Sequence, residues 1–296
     1  MNKSLNWLVP IIFFLALFAA GAGIVWVGDG QPFTTTNIRG ELVTINARGL
    51  YYWDTVSSAA QMQGNDLVTL VLGLPLLAVS FVFSLRGSLR GKLIMTGTLG
   101  FFLYTYMSMC FGTAYNPLFL VYTALFSLSL CAFILSIMSF DIKNLPARFS
   151  ERLPRRVFAG LFFFVSAFLL MAWLSRIIPT ISPDRIPALE NVTSMFIQAM
   201  DLGMVVPLSV VSAILLLRKN AYGYLLTSVA TLKFTTLGVA ISVMVINMSR
   251  AGVPASPVEL AIFPLITLIN LVLTVVLLKN IKPEEDTLPT GLTHSV

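Results

Sequence analysis

Hydrophobic positions in this chain fall into eight long runs separated by shorter polar segments. About 20 apolar residues cross a bilayer as a helix, and a backbone in lipid must satisfy its own hydrogen bonds. The pattern therefore predicts an all-α integral membrane protein with eight transmembrane helices. The predicted spans cover residues 7–27, 67–85, 93–111, 117–140, 157–175, 195–217, 222–247 and 259–279.

The segment 28–66 is predicted to be a long outer loop. Its residues 33–53 mix β-branched and aromatic side chains with two glycines, which favours a short hairpin. Tyr51, Tyr52 and Trp53 are expected at the headgroup boundary, where aromatic rings are enriched, with stacking on a ligand as the alternative. The polar tail 283–296 is predicted to be a disordered cytoplasmic segment.

Composition supports lipid as the solvent of this chain. It has 296 residues, of which 57% are hydrophobic and only 11% are charged. A soluble domain carries about a quarter charged residues, so this chain lacks the polar surface to cover a globule of its size. Membrane lipids are therefore predicted partners.

The basic residues that give the chain its net charge of +6 are concentrated in segments on one side of the predicted spans. Lysine and arginine are enriched in cytoplasmic loops. With a cytoplasmic N-terminus, 13 of the 19 basic residues fall on the cytoplasmic side and five outside, and Lys233 lies within the membrane. Both termini are therefore predicted to be cytoplasmic, in a plasma or inner membrane, and no nucleic-acid partner is expected.

Several cofactor classes are disfavoured by residue counts. The one histidine, His294, lies in the tail, and both cysteines, Cys110 and Cys131, lie in apolar runs. The chain has no nucleotide-binding glycine-rich motif and no HExxH motif. We therefore expect no metal and no cofactor, and a self-contained ATP-driven pump is excluded.

The two halves of the chain share short motifs. The pattern Gln-x-x-Asp-Leu ends at Leu67, where the second predicted span opens, and at Leu202, near the outer end of the sixth. Each copy is followed by a proline, Pro75 or Pro207. Four spans per unit would leave two copies in the same orientation. We therefore predict two parallel four-helix repeats, in residues 1–145 and 146–282.

Asp201 and Lys233 are the two charges predicted to lie at membrane depth. Each costs about 2.5–3.5 kcal/mol at a helix centre on insertion scales, so both are expected to face the bundle interior. A tight turn joins their helices, but the two residues differ in height by about 10 Å at 1.5 Å per residue. The sequence therefore leaves open whether the two residues form a direct ion pair. Gln198 precedes Asp201 by one helical turn and shares its face.

Other polar residues extend this candidate site. Asp66 is interpreted either as the N-cap of the second span or as the repeat counterpart of Asp201, with Gln63 and Gln198 as donors beside them. Tyr104 and Tyr106 lie in the third span, and only one of them is expected to face the interior. Asn270 is expected to donate a hydrogen bond across helices.

The candidate ligand-binding set is Asp201, Lys233, Gln198, Asp66, Gln63 and Tyr104. It predicts binding or transport of a small polar or amphiphilic molecule through a cavity that opens outward. Two alternatives stay open. One is an intramembrane enzyme that modifies lipid with a carboxylate as general base, and the other is a non-catalytic sensor or assembly partner. No group of residues resembles a catalytic site, so the sequence leaves enzymatic activity undecided.

Overall fold

A computed structural model of the chain describes residues 3–182, 185, 187–254 and 256–282, so the predicted tail lies outside the described residues. In the described part, eight helical segments are long and apolar enough to cross a membrane, which confirms the predicted architecture. In chain order they are α1 (Leu5–Val25), α2 with α3 (Val56–Val68 and Leu74–Leu85), α4 (Leu89–Gly112), α5 (Phe119–Met138), α6 (Arg155–Ile177), α7 with α8 (Phe196–Met200 and Val206–Leu217), α9 (Ala221–Arg250) and α10 (Pro257–Lys279).

The second and sixth spans are each interrupted by a π-helical turn. The turns are Thr69–Gly73, between α2 and α3, and Asp201–Val205, between α7 and α8. Pro75 and Pro207 lie at the start of the helices that follow. Because proline has no N–H, the ordinary helical hydrogen-bond pattern cannot continue across it, and a wider turn accommodates the ring.

The second span begins eleven residues before its predicted start. Thr55 caps α2, since its side chain accepts a 3.1 Å hydrogen bond from the N–H of Ser58. The polar residues that follow lie within protein, because α2 packs against α1 and α9 and Gly64 approaches the backbone of Met244. The predicted outer loop 28–66 is therefore too long. The N-cap interpretation of Asp66 is wrong, because this residue lies inside the helix.

The shortened loop contains the predicted hairpin, formed by β1 (Phe33–Thr36) and β2 (Leu42–Ile45) in antiparallel register. Its turn is tied to the connection between α6 and α7. Asn37 and Arg39 both donate hydrogen bonds to the carbonyl of Glu190, at 2.6 and 2.8 Å. We call this end of the bundle the loop side.

The opposite end, which we call the basic side, closes around the last described residues. Phe149 pairs with Ile281 in an isolated β-bridge. Arg90 donates a 2.7 Å hydrogen bond to the carbonyl of Ile281, and the N–H of Lys282 donates to the carbonyl of Arg148 at 2.9 Å. The assignment of this side to the cytoplasm stays a prediction.

The most buried span, α4, packs against α9. Gly97 permits this contact, because a Cβ at this position would lie 2.5 Å from the Cβ of Leu232. As α9 also packs against α2, the predicted units 1–145 and 146–282 interlock. Asn270 donates hydrogen bonds to the carbonyl of Thr231 and to Thr235 Oγ1, which confirms the expected cross-helix bond.

The turns that join α3 to α4 and α8 to α9 have matching local geometry. Gly87 and Lys219 follow the helix ends with positive φ angles of 87° and 54°. Gly91 lies in the first turn of α4, and Gly223 lies in the first turn of α9. At either position, an added Cβ would lie within 3 Å of the backbone of the preceding helix. Both pairs are 132 positions apart.

The motif that suggested a repeat uses a different register, since Asp66 and Asp201 are 135 positions apart. The two π-helical turns follow the register of 132, which aligns Asp66 with Gln198 instead. The four-helix repeat stays a prediction, and the local geometry shifts its residue correspondence by about one helical turn.

Candidate functional site

Lys233 lies inside the bundle on α9, as predicted, with only 9% of its surface exposed. Its Nζ lies 4.2 Å from the centroid of the Tyr104 ring and 5.2 Å from that of Phe234. Each such cation–π contact contributes about 0.5–2 kcal/mol. Among the described residues, none forms a hydrogen bond or ion pair with Nζ. Aromatic faces, rather than a bound carboxylate, therefore stabilise this ammonium.

Asp201 also faces the interior and is 7% exposed. It is the first residue of the second π-helical turn. Its Oδ1 accepts a 2.7 Å hydrogen bond from the hydroxyl of Tyr104, and its Oδ2 accepts a 2.9 Å bond from Nε1 of Trp173. Each carboxylate oxygen thus has one donor, which meets the requirement of a buried acid for hydrogen-bond partners.

The geometry resolves the ion-pair alternative. Tyr104 stands between the two charges, with its hydroxyl on Asp201 and its ring face on Lys233. Asp201 lies nearer the loop side of the bundle, so the lysine does not reach it within ion-pair distance. Asp201 still lies close enough to attract the Lys233 ammonium electrostatically.

A cavity of about 80 Å³ adjoins Lys233 and Tyr104. Its other lining residues are apolar: Gly100, Leu103, Phe133, Met204, Val205, Leu208, Val229 and Ala230. The absence of a side chain at Gly100 preserves this space, because a Cβ there would lie 3.2 Å from the Phe133 ring and 3.6 Å from Lys233 Cγ. Met204 is 45% exposed, so the cavity borders the outer surface of the bundle between the fourth and sixth spans.

The remaining predicted residues occupy different positions. Gln198 is half-buried on α7, one turn before Asp201, and Gln63 is half-buried on α2. Asp66 lies among the first four spans, where its Oδ2 accepts a 2.5 Å hydrogen bond from Tyr51. The structure therefore brings Asp201, Lys233 and Tyr104 together, whereas Asp66 has a separate set of partners.

Two expectations about tyrosines are wrong. Tyr106 is 1% exposed and stacks on Tyr122, on another side of α4 from Tyr104, so both tyrosines of the third span face protein. This is possible because helices surround α4. Tyr51 was expected at the headgroup boundary but is 1% exposed and bonded to Asp66, whereas Tyr52 and Trp53 are exposed.

Trp173 and the apolar residues that line the cavity were not predicted from the sequence. Trp173 lies in an apolar span, and a buried indole N–H generally needs an acceptor, so its position carried a usable signal. Phe133 and Met204 carried none, because apolar side chains in a membrane span are equally compatible with lipid contact.

No family model, no curated protein and no solved structure matches this chain.

Proposed function

We propose that this protein binds a small amphiphilic anion within the membrane. The anionic group contacts Lys233, and the part of the apolar chain next to it occupies the adjoining cavity. The observation that carries this proposal is a buried ammonium that lines an apolar cavity and has no hydrogen bond or ion pair within the described part of the chain.

The charge of Lys233 supports an anionic ligand. An unpaired ammonium in a low-dielectric interior is costly, and cation–π contacts offset only part of that cost. A carboxylate or phosphate oxygen would add a short, charge-assisted hydrogen bond. Asp201 does not compete for this position, because its two oxygens are engaged by Tyr104 and Trp173.

The cavity lining supports an apolar portion in the same ligand. Phe133, Leu103 and Leu208 offer no hydrogen-bond partner. The side chain of Met204 is 45% exposed, which supports an edge of the cavity at the lipid-facing surface. We therefore propose entry from the membrane, in place of the outward opening predicted from the sequence.

Transport would follow from binding if the ligand then passes toward the loop side. Tyr104, Asp201 and Trp173 form a hydrogen-bonded group on that side of the cavity. Their rearrangement would be the transport step, and Asp201 would be the group that couples it to protons.

Binding is tested with decanoate on full-length protein in lipid nanodiscs. We expect decanoate to raise the thermal stability of the wild type and to do so far less in Lys233→Met. Lys279→Met removes an exposed lysine at the end of α10 and is the matched control. Equal stabilisation of Lys233→Met, or a stronger effect of decyltrimethylammonium than of decanoate, would contradict the proposal.

The same probe separates the three functional classes. Lys233-dependent flux of labelled decanoate into proteoliposomes supports a transporter. Binding without flux supports a sensor or assembly partner. Chemical change of the probe or of membrane lipid, detected by mass spectrometry, supports an intramembrane enzyme.

A further inference from the structure

A second buried acid lies among the first four spans, apart from Lys233. Asp66 is 2% exposed, and its Oδ2 accepts a 2.5 Å hydrogen bond from the hydroxyl of Tyr51. The α1 backbone presses against it, since a Cβ on Gly23 would lie 1.8 Å from the same oxygen. Within the described ranges, no lysine or arginine pairs with Asp66.

In the part of the chain that the structure describes, the groups that face Asp66 from the surrounding elements carry no positive charge. Tyr106 on α4 and Tyr122 on α5 stack with ring centroids 6.3 Å apart and are close enough to interact with the acid. The neighbouring α1 contributes the backbone of Gly23, and α9 packs on α2 through Met244. Burial, followed by the nearby carboxyl, raises the pKa of the Tyr51 phenol well above its usual range, so Tyr51 remains a donor.

These surroundings favour a neutral acid. A carboxylate without a cation in a protein interior costs several kcal/mol even after relaxation, and such a group takes up a proton instead. The close approach of Gly23 and Tyr51 leaves no room beside Oδ2 for a hydrated or bare metal ion. A proton is the ligand that fits this space.

A row of unsatisfied polar atoms connects this acid with the loop side. The buried atoms Asp54 Oδ2, Asn116 Nδ2 and the hydroxyls of Tyr122 and Tyr106 form no hydrogen bond of ordinary geometry within the described residues. Tyr122 lies beside Tyr51 and Asn116 and within electrostatic reach of both Asp54 and Asp66. Buried polar groups without protein partners commonly bind ordered water, which also conducts protons.

We propose that Asp66 is a proton-binding site, reached from the loop side through Asp54, Asn116, Tyr122 and Tyr51. A hydronium ion at the loop side supplies the proton and becomes water, and the proton adds to the Asp66 carboxylate and leaves a neutral acid bonded to Tyr51. Release reverses the same transfer. This site rests on contacts separate from those of Lys233 and stands without the anion-binding proposal.

Infrared spectroscopy of the full-length protein in nanodiscs at neutral pH tests the protonation. We expect a protonated-carboxyl stretch that is lost in Asp66→Asn. In Tyr51→Phe, which retains the acid, the band moves to higher frequency because a hydrogen bond to the carboxyl is removed. Asp141→Asn changes an exposed acid and is the control that keeps the band. A spectrum unchanged by Asp66→Asn would overturn the site, and so would loss of the band on addition of sodium chloride.

The route is tested by transfer into D₂O. Deuteration shifts the band, and we expect Tyr122→Phe to slow that shift several-fold, because it deletes the hydroxyl at the centre of the row but keeps the ring. Tyr115→Phe alters an exposed tyrosine on the loop side and serves as control. Equal exchange rates in Tyr122→Phe and wild type would overturn the proposed route.

Discussion

Lys233 and Asp201 are held on two sides of one tyrosine instead of being joined in an ion pair. The lysine Nζ lies 4.2 Å from the centroid of the Tyr104 ring, while the hydroxyl of that ring donates a 2.7 Å hydrogen bond to Asp201. Breaking a buried ion pair by removing one partner costs about 3–5 kcal/mol. An anion that approaches Lys233 avoids such a cost, because the lysine is not committed to a carboxylate.

The two functions of Tyr104 are separable by substitution. Tyr104→Phe removes the bond to Asp201 and is expected to cost about 1.5–3 kcal/mol, the range for a hydrogen bond to a charged group. Tyr104→Leu also removes the aromatic face over Lys233 and is expected to cost about 0.5–2 kcal/mol more. Unfolding free energies in mixed SDS micelles measure both. Equal values for the two variants would show that the ring does not stabilise the lysine.

Asp201 and Lys233 are expected to be energetically coupled through Tyr104. In a double-mutant cycle of Asp201→Asn and Lys233→Met, we predict a coupling of about 0.5–3 kcal/mol, as for residues in one interaction network. The cycle uses the same unfolding assay. If the double variant is folded but no longer binds decanoate, the pair serves binding, and strictly additive effects would show that the two charges are independent.

Gly23 is predicted to be sensitive to a single methyl group. Gly23→Ala places a Cβ against Asp66 Oδ2 and is expected to destabilise the protein by about 1–3 kcal/mol, as overpacking of a core does. Gly21→Ala is the matched control on the same helix, because nothing lies within 4 Å of its added Cβ. Thermal unfolding in detergent compares the two variants, and similar midpoints would contradict the tight contact.

Asp54 is predicted to make stability depend on pH. Burial raises the pKa of its carboxyl from 3.8 to about 6, against the lowering effect of hydrogen bonds from Ala114 and Ser58. The folded state then binds this proton more tightly than the unfolded state. The resulting stabilisation is complete at pH values below the ordinary pKa and is lost as the pH rises through about 6.

Thermal unfolding midpoints measured at pH values between 3.8 and about 6 test this dependence. We expect Asp54→Asn to make the decline less steep, because the asparagine cannot titrate. Asp141→Asn, at an exposed acid, is expected to retain it. A wild type whose stability rises over this pH interval would contradict the direction of the pKa shift.

The orientation predicted from the basic residues is tested by single-cysteine labelling. Cys110 and Cys131 are first replaced by serine, and Thr35→Cys or Glu151→Cys is then introduced at an exposed position on the loop side or the basic side. We expect an impermeant reagent added outside intact cells to label position 35 and not position 151. The reverse labelling would overturn the orientation.

The number of spans and their approximate limits follow from the pattern of apolar residues. Span length is imposed by bilayer thickness, and lipid offers no hydrogen bonds to an irregular backbone, so hydropathy suffices. It also placed Asp201 and Lys233 inside the bundle, because a charge facing lipid is costly. Hydropathy did not predict the first turns of α2, because the polar residues there are buried against protein and not against lipid.

Which residues come into contact depends on how the helices pack. Tyr104 and Asp201 are 97 positions apart, and Trp173 and Asp201 are 28 apart. Contacts at this distance depend on how each helix is rotated about its axis. A helix such as α4, buried on nearly every side, has no single apolar face from which that rotation follows. For this reason the sequence did not predict that Tyr106 lies near Asp66. It also did not predict that Tyr104 lies between two charged residues.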